Sequence, residues 1–155
     1  MIAARWIRIG PADGLELQAL CSDLAAAQGA RAAPILLWSQ EVMALIVPLR
    51  LAPGLRRRWI PWALAPAIAA YRGCGVAAYL EGRELRLAGR KIASASCARI
   101  GGCAVIASSF LHPVPDDRFR ALVEAQYGWQ FETSWPSTAE RRHRAVHCAD
   151  SLAPW

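Results

Sequence analysis

Between Val76 and Leu111 the chain meets a glycine every few residues, at Gly82, Gly89 and the pair Gly101-Gly102. The stretches between these glycine turns read as a run of strands, over Val76–Leu80, Glu84–Leu87, Arg90–Ile100 and Cys103–Leu111. Connections as tight as Glu81-Gly82-Arg83, Ala88-Gly89 and Gly101-Gly102 join only antiparallel neighbours. A meander of this kind needs a layer to cover its apolar face, and the rest of the chain must supply it.

The flanking segments supply both layers and further strands. Ala4–Ile9 alternates and reads as a strand. After the turn Gly10–Gly14, with Asp13 as an N-cap, Leu17, Leu20, Cys21 and Leu24 stand at helical spacing within Leu15–Gln28. Ile35–Trp38 reads as a short buried strand, and Val42–Val47 as another strand, ended by Pro48. Leu49–Arg58 is a Pro/Gly/Arg loop. Trp59–Tyr71 is an apolar helix starting near Pro61, with Pro66 expected to kink it or reset its start, and it closes at Arg72-Gly73-Cys74-Gly75. Pro115-Asp116-Asp117 caps a helix over Arg118–Tyr127, stopped by Gly128. Trp129–Pro136 is irregular or a short strand, and a capping-box pattern at Ser137–Glu140 starts a last helix through Cys148. The fold class predicted is α+β, a largely antiparallel central sheet flanked by helices, in a single domain over residues 1–155.

Composition narrows the classes of function. With 55% hydrophobic and 19% charged residues the chain is globular rather than disordered. No apolar run reaches the roughly 18 residues that span a bilayer, and Met1–Ile9 lacks the features of a signal peptide. The expectation is a cytoplasmic protein without a membrane partner. Cys21, Cys74, Cys97, Cys103 and Cys148 follow no metal-binding spacing and read as free thiols. The charge of +6 is concentrated at Arg56-Arg57-Arg58 and Arg141-Arg142-His143-Arg144. Without interleaved aromatics or a DNA-binding motif, these clusters read as solvated faces or docking surfaces for an acidic protein, not for nucleic acid.

Lys91 is the one lysine beside 17 arginines. Its compact ammonium suits a phosphate or an activated acyl carbonyl. It opens a strand directly after the Ala88-Gly89 turn, which would aim it into an enclosed cleft. The stretch Glu84-Leu85-Arg86-Leu87-Ala88-Gly89-Arg90-Lys91-Ile92-Ala93-Ser94-Ala95 resembles the "D-L-x-hydrophobic-x-G-R-K-I-x-G-x-A" strand of the biotin/lipoate protein ligase family. Gly102–Leu111 is similar to the strand that follows it there. Arg5–Ile9, Asp13-Gly14 and Pro34-Ile35-Leu36-Leu37-Trp38 resemble that family's opening strand, helix and "P-x-L-R-x-W" strand. The chain departs from the pattern where Ala107-Ser108 replaces a His-Gly pair and where Arg56-Arg57-Arg58 stands without the glycines of the acyl-pocket loop.

The resemblance implies that Lys91 contacts the carbonyl of a lipoyl or octanoyl group, or the phosphate of an acyl-adenylate, as a catalytic residue. It implies that Gly89, Arg90, Ser94, Ser108 and Ser109 form the substrate-binding surround. It further implies a lipoyl domain or another acidic carrier as partner. The missing glycine loop leaves open a non-catalytic relative that binds such a partner or serves as a subunit of a larger complex.

The residues themselves carry alternatives. Arg90 also reads as a surface charge. The serines either lend hydroxyls to a ligand or let a helix pack closely on the strands. Cys97 and Cys103 are candidate acyl-accepting thiols, or fillers of a strand face. His143 and His147 stand at i, i+4 without a third metal ligand, and Asp116-Asp117 reads as a cap. Trp38, Trp59, Trp62, Trp129 and Trp135 read as core or rim anchors, or as a Trp-rich face that covers an open cleft or joins an oligomer.

Overall fold

The computed structural model describes residues 2–9, 14–28, 33–39, 41–110 and 116–132. In chain order the elements are β1 (Ile2–Arg8), α1 (Gly14–Ala27), β2 (Ile35–Trp38), β3 (Val42–Pro48), a 3-10 turn (Arg56–Arg58), α2 (Trp59–Gly73), β4 (Tyr79–Glu81), β5 (Glu84–Leu87), β6 (Arg90–Ile100), β7 (Cys103–Phe110), α3 (Asp116–Tyr127) and β8 (Trp129–Glu132). Among these residues the strands form one sheet in the order β4-β5-β6-β7-β3-β2-β1-β8. Only β1–β2 and β1–β8 pair in parallel. The pairs from β2 through β3, β7, β6, β5 and β4 are antiparallel.

Strand periodicity splits the sheet into two chemically different faces. Leu36 and Trp38 of β2, Met43, Leu45 and Val47 of β3, Ala104, Ile106 and Phe110 of β7, and Trp129 and Phe131 of β8 point one way. They pack under α2 and α3. Ile7 of β1, Ile35 and Leu37 of β2, Ala44 and Ile46 of β3, and Cys103 and Val105 of β7 point the other way, under Leu17, Leu20, Cys21 and Leu24 of α1. Trp38 stacks on Phe119 at 4.3 Å between ring centroids, and both side chains are fully buried.

α2 shows how a local exception is compensated. Trp59, Ile60, Ala63, Leu64, Ala67, Ala70 and Tyr71 recur at helical spacing and are buried. Pro61 sits in the first turn, where no backbone N–H is needed. Pro66 lies inside the helix, which runs unbroken to Gly73 rather than restarting at the proline. Proline has no N–H to give the carbonyl four residues earlier, that of Trp62. The Tyr127 hydroxyl of α3 donates to that carbonyl at 2.5 Å, so the tyrosine fills the place the proline leaves empty and ties the two helices together.

The turns follow the glycines. Ala88 (φ 50°) and Gly89 (φ 77°) both adopt left-handed conformations, as a two-residue hairpin turn of the primed type requires. Gly128 (φ 67°) ends α3 and lets Trp129 enter β8 beside β1. Several boundaries differ from the sequence reading. Among them, the strand expected from Val76 begins at Tyr79, and Asp116 and Asp117 stand inside the first turn of α3 rather than before it. Asp13, Trp135, His143, His147, Cys148 and the expected last helix lie outside the described residues.

Candidate functional site

α1 lies across its face of the sheet, against β3, β7 and β6. Between them lies a cleft of about 700 Å³, within the range of ligand sites for small molecules. Its floor is set by register. On this face Val42, Ser109, Ser94 and Glu84 form one row across β3, β7, β6 and β5. The next rows are Ala44, Ala107 and Ser96, then Ile46, Val105 and Ala98, then Pro48, Cys103 and Ile100. Leu17, Gln18 and Cys21 of α1 form the opposing wall, and Glu41 stands at one end. Small side chains on β6 and β7 create the space, because nothing large rises from either strand between Ser94 and Ala98.

Of the residues expected to surround a substrate, three border this cleft: Ser94, Ser108 and Ser109. Ser94 and Ser109 face it directly. Ser108 stands opposite Ala95 on the α2 side of the sheet. It is only 2% exposed, and its hydroxyl donates to the Ser109 carbonyl at 3.2 Å. Ser108 is thus a small buried residue where α2 packs on β6 and β7, while Ser94 and Ser109 turn their side chains to the cleft.

Lys91 requires a correction. It does not lie in an enclosed hollow, and its side chain is 48% exposed. Its Nζ lies 3.8 Å from Oε1 of Glu84, the residue that ends the row of Ser94 and Ser109. The ammonium thus sits at the rim of the open face, beyond the serine end of the cleft. The irregularity in the β5–β6 register at Leu85/Arg86 lets Ile92 and Ala93 both join the closed core while Lys91 stays on the other side. Glu84 is not held by Lys91 alone. Arg86 Nη2 donates to Glu84 Oε2 at 2.6 Å, and its Nη1 donates to the Gly89 carbonyl at 3.1 Å. Lys91 can leave Glu84 without stranding that carboxylate. Gly89 and Arg90 are exposed and do not line the cleft. Gly89 shapes the turn that precedes Lys91.

The thiols are poorly placed as nucleophiles. Burial pushes Cys21 from 9.0 up to about 12 and raises Cys103 as well, so both remain protonated thiols at neutral pH. Cys97 borders the cleft, but packs partly against the α2 core. Its carbonyl accepts from Arg56 Nη2 at 3.2 Å, and the Arg56 guanidinium also lies over Trp59, 5.8 Å from the ring centroid. The arginine run is an exposed single turn anchored to the outer side of β6, not a loop over the cleft. Trp38, Trp59, Trp62 and Trp129 all join or pack against the closed core, and no tryptophan among the described residues lines the cleft. They neither cover it nor form an exposed aromatic face. Among the described residues no cluster of His, Cys, Asp and Glu is arranged to hold a metal ion, and no helix is long and apolar enough to cross a membrane.

A cleft at the central strands was expected from the sequence, but around Lys91 rather than over the small residues that floor it. The available signal was the alternation Ser94-x-Ser96-x-Ala98 opposite Ala107-x-Ser109, small residues on the same face of paired strands.

No protein-family model matches the sequence, and no curated protein sequence matches it. Solved structures do match in three dimensions. The bi-partite lipoate protein ligase of Thermoplasma acidophilum, studied with its E2 lipoyl domain, superposes with a TM-score of 0.68 at 11% identity, covering 94% of this chain and 92% of that one. A lipoate-protein ligase A bound with ATP gives 0.65 at 10% identity, covering 94% of each. The biotin acetyl coenzyme A carboxylase synthetase of Helicobacter pylori, with bound biotinylated ATP, gives 0.58 at 12% identity over 83% of this chain and 74% of that one. At these identities the likeness is one of architecture: the chain has the fold of the lipoate and biotin protein ligases.

Proposed function

We propose that the protein handles a lipoyl or octanoyl group, held in the cleft over β6 and β7, and that Lys91 steadies the carbonyl or phosphate end of that group in the cytoplasm. The observation that carries this reading is the cleft of about 700 Å³ on the α1 side of a ligase-type sheet, with Ser94 and Ser109 at one end and the Lys91 ammonium on the rim beyond them, paired with Glu84. A cation beside an acyl carbonyl stabilises negative charge that develops on the oxygen. Lys91 is free to turn toward it because Arg86 retains Glu84. The carrier would be a lipoyl domain or a similar acidic protein, to which the net charge of +6 is complementary.

A second reading has its own support. Lys91 is half exposed and paired, and burial raises the Cys21 and Cys103 thiols. These features fit a non-catalytic relative that binds the acyl group or its carrier as a module of a larger assembly. One experiment separates the two: incubation with octanoyl and lipoyl donors and a lipoyl domain, following the acceptor by mass. Acylation lost in Lys91→Ala supports the enzyme. Binding of the acceptor or the acyl group with no mass change supports the module, and neither binding nor acylation refutes both.

A further inference from the structure

The cleft has a direction. Along β7 its lining residues run Ser109, Ala107, Val105, and their exposure falls from exposed through half-buried to buried. Along β6 the matching residues run Ser94, Ser96, Ala98, Ile100. One end therefore presents hydroxyls, with Glu84, Lys91 and Glu41 nearby. The other end presents the aliphatic side chains of Ala98, Val105 and Ile100, and Leu17, Gln18 and Cys21 of α1 form the wall above the floor. From Ser94 to Ile100 the trough runs roughly 20 Å at the rise of a strand, longer than an extended octanoyl chain.

Resting on the acyl-binding reading above, we infer that the cleft takes linear acyl chains longer than octanoyl, with the polar head at Ser94 and Ser109 and the tail running toward Ile100, and that Ala98 sets the accepted length. An amphiphile laid the other way would put its head among Ala98, Val105 and Ile100, which carry no hydroxyl or charge, and its tail among the serines. Ala98 lies opposite Val105 in the third row, past the reach of an octanoyl tail that starts at Ser94. A methyl side chain there keeps the trough open, and a large ring would close it.

The test measures binding of octanoate, dodecanoate and hexadecanoate to the full chain by calorimetry. Burial of each added methylene strengthens binding by up to about fourfold, so dodecanoate should bind at least about tenfold more tightly than octanoate. Ala98→Phe should bring that ratio close to one. Ser94→Phe, at the head end, should weaken every chain while keeping the ratio. Equal affinities of the native protein for octanoate and dodecanoate overturn the length assignment, whatever the variants do. An unchanged ratio in Ala98→Phe, or a ratio lost in Ser94→Phe, overturns the orientation. In all of these cases octanoate still binds and the acyl-handling function stands, whereas binding of no chain at all removes that function too.

Discussion

The two faces of the sheet are built from the same strands, often from adjacent residues, yet they do opposite things. Under α2 and α3 the side chains are large and interlocked: Trp38 on Phe119 at 4.3 Å, Trp6 edge-on to Phe131 at 5.1 Å, and Tyr127 between Trp62 and Trp129 at 4.6 and 4.7 Å. Under α1 the outer half of the sheet carries serine and alanine and leaves space. On β7 the change occurs from one residue to the next, with Phe110 and Ile106 closing one side while Ser109 and Ala107 open the other. The difference teaches that side-chain volume, not strand order, decides where a sheet of this kind can hold a ligand. One face supplies stability, so the other can remain incompletely packed.

If that division is right, the largest losses of stability come from the closed face. Trp38→Ala removes a fully buried ring and its stacked partner's support, and should cost about 3–5 kcal/mol in denaturant unfolding. A loss under about 1 kcal/mol would mean the closed face is not the stabilising one.

Alkaline pH probes burial on both faces. Cys21, under α1, moves from 9.0 up to about 12, and Tyr71, in the closed core, from 10.0 up to about 12, both through burial. A raised folded value means the unfolded chain ionises first. Stability contributed by these groups is whole below pH 9 and declines as pH rises from 9 toward 12. Urea midpoints across that window should fall, and Cys21→Ala should flatten the early part of the decline. A midpoint independent of pH up to 12 would show that Cys21 is open to water and that α1 does not seal the face beneath it.

Tyr127→Phe isolates the hydrogen bond that offsets Pro66. It leaves the Trp62 carbonyl without the hydroxyl that donates to it and should cost about 1–3 kcal/mol. If the tie exists only because proline lacks its N–H, Pro66→Ala should make the loss smaller. An equal loss in both backgrounds would assign the effect to packing of the ring.

The fold was legible in the sequence where local chemistry is decisive. Gly89 and Gly101 mark turns that need left-handed backbone, and β5 and β6 occupy the stretches that the glycines delimit. β8 was harder to read. Trp129–Glu132 is a short strand whose pairing with β1 is parallel and remote in sequence, so no turn announces it. The candidate site was legible in part. Ser94 and Ser109 were singled out in a cleft of the central strands, but not the extent of the trough they floor, because alternation tells which residues share a face and not where α1 lies across it. Lys91 was placed too deep for a related reason: the register irregularity at Leu85/Arg86 fixes its face, and no residue type signals that irregularity.

The Ala88-Gly89 turn offers a smaller test. Ala88 holds φ 50°, a conformation in which a Cβ costs on the order of 1 kcal/mol. Ala88→Gly relieves that strain while loosening the unfolded chain, so thermal unfolding should shift by no more than about 1 kcal/mol, toward greater stability. Destabilisation would mean that the Ala88 side chain supports the β5–β6 hairpin.

Lys91→Ala should have the least effect on stability and the most informative effect on function. The pair with Glu84 is largely solvated and spans 3.8 Å, and exposed pairs of this kind contribute about 0–1 kcal/mol. Arg86 continues to hold Glu84 after the change. Unfolding should therefore be nearly unaltered, while affinity for an acyl carboxylate, or transfer of an acyl group, should drop severalfold. Glu84→Gln should act in the opposite direction, by releasing Lys91 toward the serine end. If Lys91→Ala instead unfolds the protein readily, the lysine belongs with the groups that build the β5–β6 hairpin, and the separation of the two faces into a stabilising side and a binding side fails at its edge.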